Sequence, residues 1–165
     1  MLTGGMIATP IASILFVCLG NICRSPLAQA AFAQEAARVG LTVEADSAGT
    51  GDWHIGHPPD PRAQAVALRK GVDICHYQAR QIVAEDFQRF DMILALDADN
   101  LANLRRLAPS GSKAYVSLLL DLVPGRQGQA VADPYYGDDA GFDVTWCDVE
   151  QAAKALVARL VAARA

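Results

Sequence analysis

A cysteine and an arginine with five residues between them, Cys18 and Arg24, lie in the stretch CLGNICRSP. The apolar run over residues 14–17 precedes the cysteine and predicts a buried strand. Ser25 and Pro26 then predict the start of a helix, with Ser25 as its N-cap. The free amides and positive dipole end of that helix favour an anion and a thiolate, and Arg24 can bind two phosphate oxygens. Together these residues predict a site that binds an oxyanion and attacks it with sulfur.

The residues between Cys18 and Arg24 suit a loop whose backbone surrounds an anion. Gly20 allows a close approach of the backbone, and Asn21 tolerates a left-handed conformation. The hydroxyl of Ser25 can donate to the Cys18 sulfur and hold it as the thiolate, which is compatible with the N-cap position. We expect the backbone around the anion to come from Leu19, Gly20, Asn21, Ile22 and Cys23.

Segments typical of strands and helices alternate along the rest of the chain. Apolar and β-prone patterns predict four strands, at residues 14–17, 41–45, 91–95 and 113–116. Helical spacing predicts helices at 26–39, 59–70, 97–107 and 145–164, with a short turn at 84–89. This alternation predicts a single-domain α/β fold with a doubly wound, four-stranded parallel sheet flanked by helices on both faces. Cys18 then lies at the carboxyl end of the first strand, where such sheets bind ligands, and the loops 121–143 and around Trp53 can reach the same edge.

The composition excludes several classes of protein. The 165 residues carry a net charge of -4, which argues against nucleic acid as the main partner. The four cysteines of a chain without a secretory signal are expected to be free thiols in a cytoplasmic protein. The histidines lack metal-ligand spacing and no nucleotide-binding glycine motif is present, so we expect neither a metal nor a cofactor.

The first 19 residues are largely apolar, but no lysine or arginine precedes them and Pro10 interrupts the run. This pattern disfavours a signal peptide and membrane insertion. We expect residues 1–11 to form a flexible extension and residues 12–165 to form the domain. Met6 is an alternative start to Met1.

The stretch CLGNICRSP near the start of the fold and DPYYG late in the chain together resemble the low-molecular-weight protein tyrosine phosphatases. The similarity continues through SAGTGDWHIGHPPDPRA, HYQARQI and DMILALD and covers nearly the whole chain after the extension. It implies a phosphatase without metal or cofactor, in which Cys18 is the nucleophile that forms a phosphocysteine and Arg24 binds the phosphoryl oxygens. Asp133, the aspartate of DPYYG, would be the general acid, chosen over Asp138 and Asp139 by the resemblance.

The resemblance also implies supporting roles for residues elsewhere in the chain. A polar network behind the loop would comprise Asn21, Ser25, Ser47 and His76. A structural or surface histidine is an equally good interpretation of His76. Asp97 would brace Arg24, although helix capping alone also explains it. Cys23 would either form a reversible disulfide with Cys18 or pack passively.

Three aromatic residues indicate the class of substrate. Trp53, Tyr135 and Tyr136 would wall a slot deep enough for a phenyl ring, which favours phosphotyrosine over phosphoserine. Ile22 is similar to the tyrosine-phosphatase branch, whereas a related arginine-phosphatase branch carries threonine there. The expected partner is a phosphotyrosine-containing protein, with a bacterial tyrosine kinase as one candidate.

Two other functions share parts of this pattern. An arsenate reductase on the same scaffold would need two further cysteines as a redox relay. Cys75 has no cysteine in the next dozen residues, and Cys147 lies in the last predicted helix. A non-catalytic phosphotyrosine-binding module would be expected to lack the nucleophile or the acid, and both Cys18 and Asp133 are present.

Overall fold

A single four-stranded parallel sheet forms the centre of the molecule, with the strand order β2-β1-β3-β4. The structure is a computed structural model that describes residues 10–164. Its strands are β1 (Ser13–Cys18), β2 (Glu44–Gly49), β3 (Met92–Ala95) and β4 (Tyr115–Leu118). The predicted parallel α/β fold is confirmed.

Helices cover both faces of the sheet, so β1 is buried throughout. Ile14 and Phe16 point into the larger core, whereas Leu15 and Val17 point into the smaller one, as the two-residue period of a strand requires. The helices α1 (Arg24–Arg38), α2 (Pro61–Arg69) and α5 (Asp139–Arg164) pack on the larger core. The smaller core lies under α3 (Asp86–Arg89) and α4 (Ala98–Leu107).

The bounds of β2 and β4 differ from the sequence prediction by two residues or more, because their partner strands set them. The second strand was predicted at 41–45 but begins at Glu44, which pairs with the first residue of β1, Ser13. It runs on to Gly49 because Cys18, the last residue of β1, pairs with it. The fourth strand was predicted at 113–116 but begins at Tyr115, where Met92 of β3 offers its first partner.

The last helix begins six residues earlier than predicted, at Asp139 rather than Thr145. Gly141 in its first turn hid the helical pattern, whereas Phe142 is buried in the core and Asp139 complements the helix dipole. The predicted long loop 121–143 is therefore shorter, and its first part forms a 3-10 turn, Leu119–Leu122.

The predicted extension over residues 1–11, with Met6 in it, lies almost entirely outside the described residues. Ile11 is described, and its side chain is buried in the larger core. Its carbonyl accepts a hydrogen bond of 2.8 Å from Arg164 Nη2 at the end of α5. The packed part of the chain therefore includes residue 11. Between residues 10 and 164, no helix combines the length and apolar character that a membrane span needs.

Candidate active site

The loop over residues 18–25, here called the anion loop, connects β1 to α1. Its helix begins at Arg24 and Cys23 takes the N-cap position, so the prediction of Ser25 as N-cap is wrong. Ser25 is instead fully buried, with its Oγ 3.0 Å from the Cys18 sulfur. The first amides of α1 are thus left without a side-chain cap among the described residues, beside the sulfur.

Asn21 holds the anion loop in shape. Its φ is +58°, and it is the one non-glycine residue with positive φ among residues 10–164. Its Nδ2 donates to Ser25 Oγ at 2.8 Å and to Ser47 Oγ at 3.0 Å, and its Oδ1 accepts from the Arg80 amide at 3.0 Å. Since Ser25 Oγ accepts from Asn21, its own proton is available to the Cys18 sulfur.

His76 does not join this network. It is exposed, and its ring lies edge-on against Tyr77 with the centroids 5.0 Å apart. Other groups contact the network instead. The Arg80 backbone amide donates to Asn21, and Gln29 Oε1 accepts a hydrogen bond from Ser47 Oγ at 2.7 Å. A backbone amide leaves no mark in a sequence pattern, which is why the sequence did not reveal this contact.

Gly49, at the end of β2, is a further residue that the sequence analysis missed. A Cβ there would lie 2.7 Å from the Leu19 carbonyl oxygen and 3.2 Å from Gly20 C, so only glycine lets the strand pass under the loop. The next two amides fasten the loop from below, because Thr50 N donates to Cys18 O and Gly51 N to Leu19 O. The glycines of the sequence SAGTG were the one sign of this close approach in the sequence.

Arg24 is buried and held on two sides. Its Nη1 donates to Asp97 Oδ2 at 2.6 Å and to the Val131 carbonyl at 3.1 Å. Asp97 also accepts from Asn100 N at 2.7 Å, so it braces Arg24 with one oxygen and caps α4 with the other. Burial opposes the charge of Arg24, but Cys18, Asp97 and Asp133 together outweigh it and raise the pKa of the guanidinium. Arg24 therefore remains a cation in the site.

Asp133 lies across from Arg24 in the loop over residues 131–137, here called the Asp133 loop. Its Oδ2 is 3.7 Å from Arg24 Nη2, and its Oδ1 accepts from the Tyr135 amide at 3.1 Å. Its side chain is 39% exposed. Asp138 and Asp139, the other two candidates for the general acid, do not line the cleft described below. Asp138 directly precedes α5, and Asp139 is its first residue.

A cleft of about 350 Å³ opens above the anion loop. Most of the predicted site residues line it, and His54, which was not predicted, does so too. The lining residues are Cys18, Leu19, Gly20, Ile22, Cys23, Arg24, Trp53, His54, Asp133, Tyr135 and Tyr136. Asn21, Ser25, Ser47 and Asp97 do not line it and instead support the residues that do.

The aromatic residues form the outer part of the cleft. Trp53 is 64% exposed and Tyr136 is 92% exposed, whereas Tyr135 is more covered. The rings of Tyr135 and Tyr136 meet edge-on with their centroids 4.9 Å apart. The cleft is therefore polar and charged at its base and aromatic at its mouth.

Comparison with known proteins identifies the family. The sequence model described as "Low molecular weight phosphotyrosine protein phosphatase" matches residues 13–165. The chain belongs to this family. Membership makes the protein a phosphatase, and the enzyme class and family predicted from the sequence are confirmed.

Individual members of the phosphatase family agree in sequence and in fold. The low molecular weight protein-tyrosine-phosphatase of Streptomyces coelicolor is 47% identical over 150 residues, which cover 88% of this chain and 91% of that protein. The low molecular weight phosphotyrosine protein phosphatase of Schizosaccharomyces pombe is 46% identical over 132 residues, 78% of this chain and 84% of the relative. The crystal structure of a protein tyrosine phosphatase from Entamoeba histolytica superposes with a TM-score of 0.86 at 35% identity, covering 93% of this chain and 99% of that one.

The cysteines of this phosphatase fall into two groups. Cys18 and Cys23 are buried and line the cleft, whereas Cys75 and Cys147 are exposed and do not. Burial raises the pKa of the Cys23 thiol, and the negative charge of Asp60 raises it further. Cys23 therefore stays protonated at neutral pH. No cluster of metal-binding side chains occurs among residues 10–164.

Proposed function

We propose that this phosphatase hydrolyses phosphotyrosine in proteins, with Cys18 as nucleophile, Arg24 as phosphate-binding cation and Asp133 as general acid. The observation that carries the proposal is the convergence of these three residues on one cleft. The sulfur lies at its base against α1, and the guanidinium and the carboxylate lie 3.7 Å apart beside it. A phosphoryl group at the base would meet a nucleophile, a cation and a proton donor at once.

In the first step the Cys18 thiolate attacks phosphorus in line with the tyrosyl oxygen. The sulfur–phosphorus bond forms and the phosphorus–oxygen bond breaks. Arg24 and the loop amides bind the equatorial oxygens, where charge accumulates in the transition state. Asp133 gives its proton to the departing phenolate oxygen, so tyrosine leaves neutral.

In the second step water attacks the phosphocysteine. The Asp133 carboxylate takes a proton from that water, the sulfur–phosphorus bond breaks and inorganic phosphate forms. The Cys18 thiolate is the leaving group, and the Ser25 hydroxyl at 3.0 Å stabilises it. The enzyme returns to its starting state without a cofactor.

The aromatic mouth of the cleft supports phosphotyrosine as substrate. Trp53 and Tyr135 can contact a phenyl ring whose phosphate reaches the base, whereas a phosphoserine side chain is too short to span both. Ile22 lines the cleft at the place where the arginine-phosphatase branch carries threonine, which supports tyrosine over arginine. A tyrosine kinase or another phosphotyrosine protein in the cytoplasm, where free thiols such as Cys18 persist, is the proposed partner.

The buried pair of cysteines supports a redox role alongside hydrolysis. We propose that peroxide oxidises the Cys18 thiolate to a sulfenic acid, and that Cys23 then attacks the sulfenic sulfur. The proton of the Cys23 thiol leaves with the departing hydroxide as water, and the disulfide forms. Both residues line the same cleft. Peptide mass spectrometry after mild peroxide should find the Cys18–Cys23 disulfide, and irreversible sulfinic acid at Cys18 would contradict it.

Neither alternative function receives comparable support. The arsenate reductase relay needs cysteines near the anion loop, but Cys75 and Cys147 are exposed and do not line the cleft. A non-catalytic phosphotyrosine-binding module needs no proton donor, so it does not explain why Asp133 lies beside Arg24.

The test is hydrolysis by two variants of p-nitrophenyl phosphate and of matched phosphotyrosine, phosphoserine and phosphoarginine peptides. Cys18→Ser should abolish turnover of every substrate and still bind vanadate, since the anion loop remains. Asp133→Ala should lower kcat/KM by roughly 10²-fold or more for the phosphotyrosine peptide and less for p-nitrophenyl phosphate. Undiminished turnover by Cys18→Ser would overturn the nucleophile. Faster hydrolysis of phosphoserine or phosphoarginine would overturn the substrate class.

A further inference from the structure

Arg62 is a second arginine near the cleft, and the proposed chemistry gives it no task. It is the second residue of α2, whose N-cap is Asp60. The Asp60 amide donates to the Ile22 carbonyl at 2.9 Å. The start of α2 is therefore tied directly to the anion loop.

The guanidinium of Arg62 is fixed in place from two sides. Its Nε donates to Asp60 Oδ1 at 3.0 Å and its Nη2 to Asp60 Oδ2 at 2.9 Å, which is a bidentate pair. Its central carbon lies 4.6 Å from the ring centre of Phe142, a buried residue of α5. Asp60 is itself largely covered, and the hydrogen bonds from Arg62 lower the pKa of its carboxyl. This arginine thus has one defined position.

From that position the remaining N–H groups of Arg62 reach the Asp133 loop. Nη2 donates to the Tyr135 carbonyl at 3.0 Å, and Nη1 donates to the Gly137 carbonyl at 3.2 Å. The amide of the same Tyr135 donates to Asp133 Oδ1 at 3.1 Å. One residue therefore joins the fixed guanidinium to the carboxylate of the proposed acid.

The other end of the Asp133 loop has a separate attachment. Val131 N donates to Leu96 O at 2.8 Å, directly after β3, and Val131 O accepts from Arg24. Asp133 lies between these two attachments and is half-exposed. Between Asp133 and the start of α5, the hydrogen bonds that tie this described segment to another element are those from Arg62.

We propose that Arg62 is a positioning residue that holds Asp133 at the distance from the anion loop at which its carboxyl reaches the leaving oxygen. This inference rests on the proposed role of Asp133 as general acid. Because α2 is tied to Ile22, Arg62 sets the Asp133 loop relative to the loop that holds the phosphoryl group. Its contribution to the rate should grow with the need of the leaving group for a proton.

The experiment measures kcat/KM over a series of aryl phosphates, from p-nitrophenyl phosphate, a good leaving group, to phenyl phosphate, a poor one. Arg62→Met keeps an apolar side chain against Phe142 and removes every side-chain donor. It should lower kcat/KM for phenyl phosphate about tenfold and for p-nitrophenyl phosphate less than about twofold, because only the former needs full protonation. Inhibition by inorganic phosphate should stay close to wild type, since Cys18 and Arg24 are untouched.

Two further variants serve as controls for Arg62→Met. Arg69→Met removes the arginine at the other end of α2, whose partner is the exposed Asp143 at 2.5 Å, and should leave the whole series unchanged. Arg62→Lys keeps the charge but has one donor nitrogen in place of three, and its dependence on the leaving group should fall between wild type and Arg62→Met. If Arg62→Met does not fold, as judged by circular dichroism, Arg62→Lys decides alone.

A double variant separates positioning from a merely structural role. In the Asp133→Ala background, Arg62→Met should cause no further leaving-group-dependent loss, because the group that it positions is absent. Equal losses across the series, or the same additional dependence in the Asp133→Ala background, would overturn the positioning role. If Asp133→Ala alone leaves the dependence unchanged, the proposed acid is wrong and the inference falls with it. If Asp133→Ala increases the dependence and neither Arg62 variant does, only the inference about Arg62 is wrong.

Discussion

The two loops that meet in the cleft differ in how they are held. In the anion loop, Cys18, Asn21, Arg24 and Ser25 are all buried, and their side chains bond to one another, to Ser47 and to Asp97. In the Asp133 loop, Asp133, Tyr135 and Tyr136 are exposed, and the hydrogen bonds that attach the loop to other elements are made by its backbone atoms.

This difference matches what each loop must do. Groups that stabilise a transition state must already point at the developing charge, because reorganisation during the reaction would cost free energy. A proton donor has only to reach one oxygen at the right moment. Substitutions in the anion loop should therefore affect every substrate and also stability, whereas those in the Asp133 loop should affect particular substrates and leave stability nearly unchanged.

The largest effect is expected from Arg24→Lys in the anion loop. Lysine keeps the charge but cannot bind two phosphate oxygens in a plane while also bonding to Asp97 and Val131. We expect kcat/KM to fall about 10²–10³-fold for good and poor leaving groups alike. Steady-state kinetics over the aryl phosphate series checks this. A loss of kcat/KM confined to poor leaving groups would contradict the proposed difference between the two loops.

Asn21→Ala should have a smaller effect that reaches both activity and stability. It removes three hydrogen bonds and leaves a Cβ residue at a φ of +58°. We expect the free energy of unfolding to fall by about 2–3 kcal/mol and kcat/KM by about tenfold. Asn21→Gly is the matched control, because it loses the same bonds without the backbone strain. If urea unfolding shows no difference between the two variants, strain is not part of the effect.

Cys23 gives the anion loop a pH dependence of its own. Burial raises the pKa of its thiol above the ordinary value of 9.0, so the folded state keeps the proton longer than the unfolded state does. The stability due to this thiol is complete below pH 9.0 and is lost as the pH rises above it. Between neutral pH and pH 10, the unfolding free energy of wild type should therefore fall more steeply than that of Cys23→Ala. Parallel curves would show that Cys23 does not contribute.

The smallest effect is expected from Tyr136→Ala in the Asp133 loop, because this side chain is 92% exposed. Stability should stay within about 0.5 kcal/mol of wild type. The KM for a phosphotyrosine peptide should rise about two- to threefold through the lost aromatic contact, with kcat retained. Tyr136→Phe, which keeps the ring, should restore KM. A loss of stability as large as that of Asn21→Ala would contradict the proposed contrast between the loops.

The sequence predicted the anion loop better than its supports. Cys18, Arg24 and the intervening loop residues follow one another in the chain, so strand, loop and helix signals locate them without knowledge of the fold. Of the two roles predicted for Ser25, the contact with the Cys18 sulfur is present and the N-cap is wrong, because local preferences do not decide between these partners. His76 was predicted either in the network or at the surface; it is exposed, and Arg80 supplies the contact to Asn21 through its backbone.

By itself, the sequence determined the parallel α/β fold, the oxyanion-binding motif and the family. These depend on hydrophobic periodicity and on residues close together in the chain. Only the tertiary structure showed that Asp133 lies beside Arg24, 109 positions away, and that Arg62 donates hydrogen bonds to the Asp133 loop. Such contacts depend on which strand ends and helix ends meet at one edge of the sheet. That meeting is settled by the packing of the whole chain, since no local pattern records the distance between two distant loops.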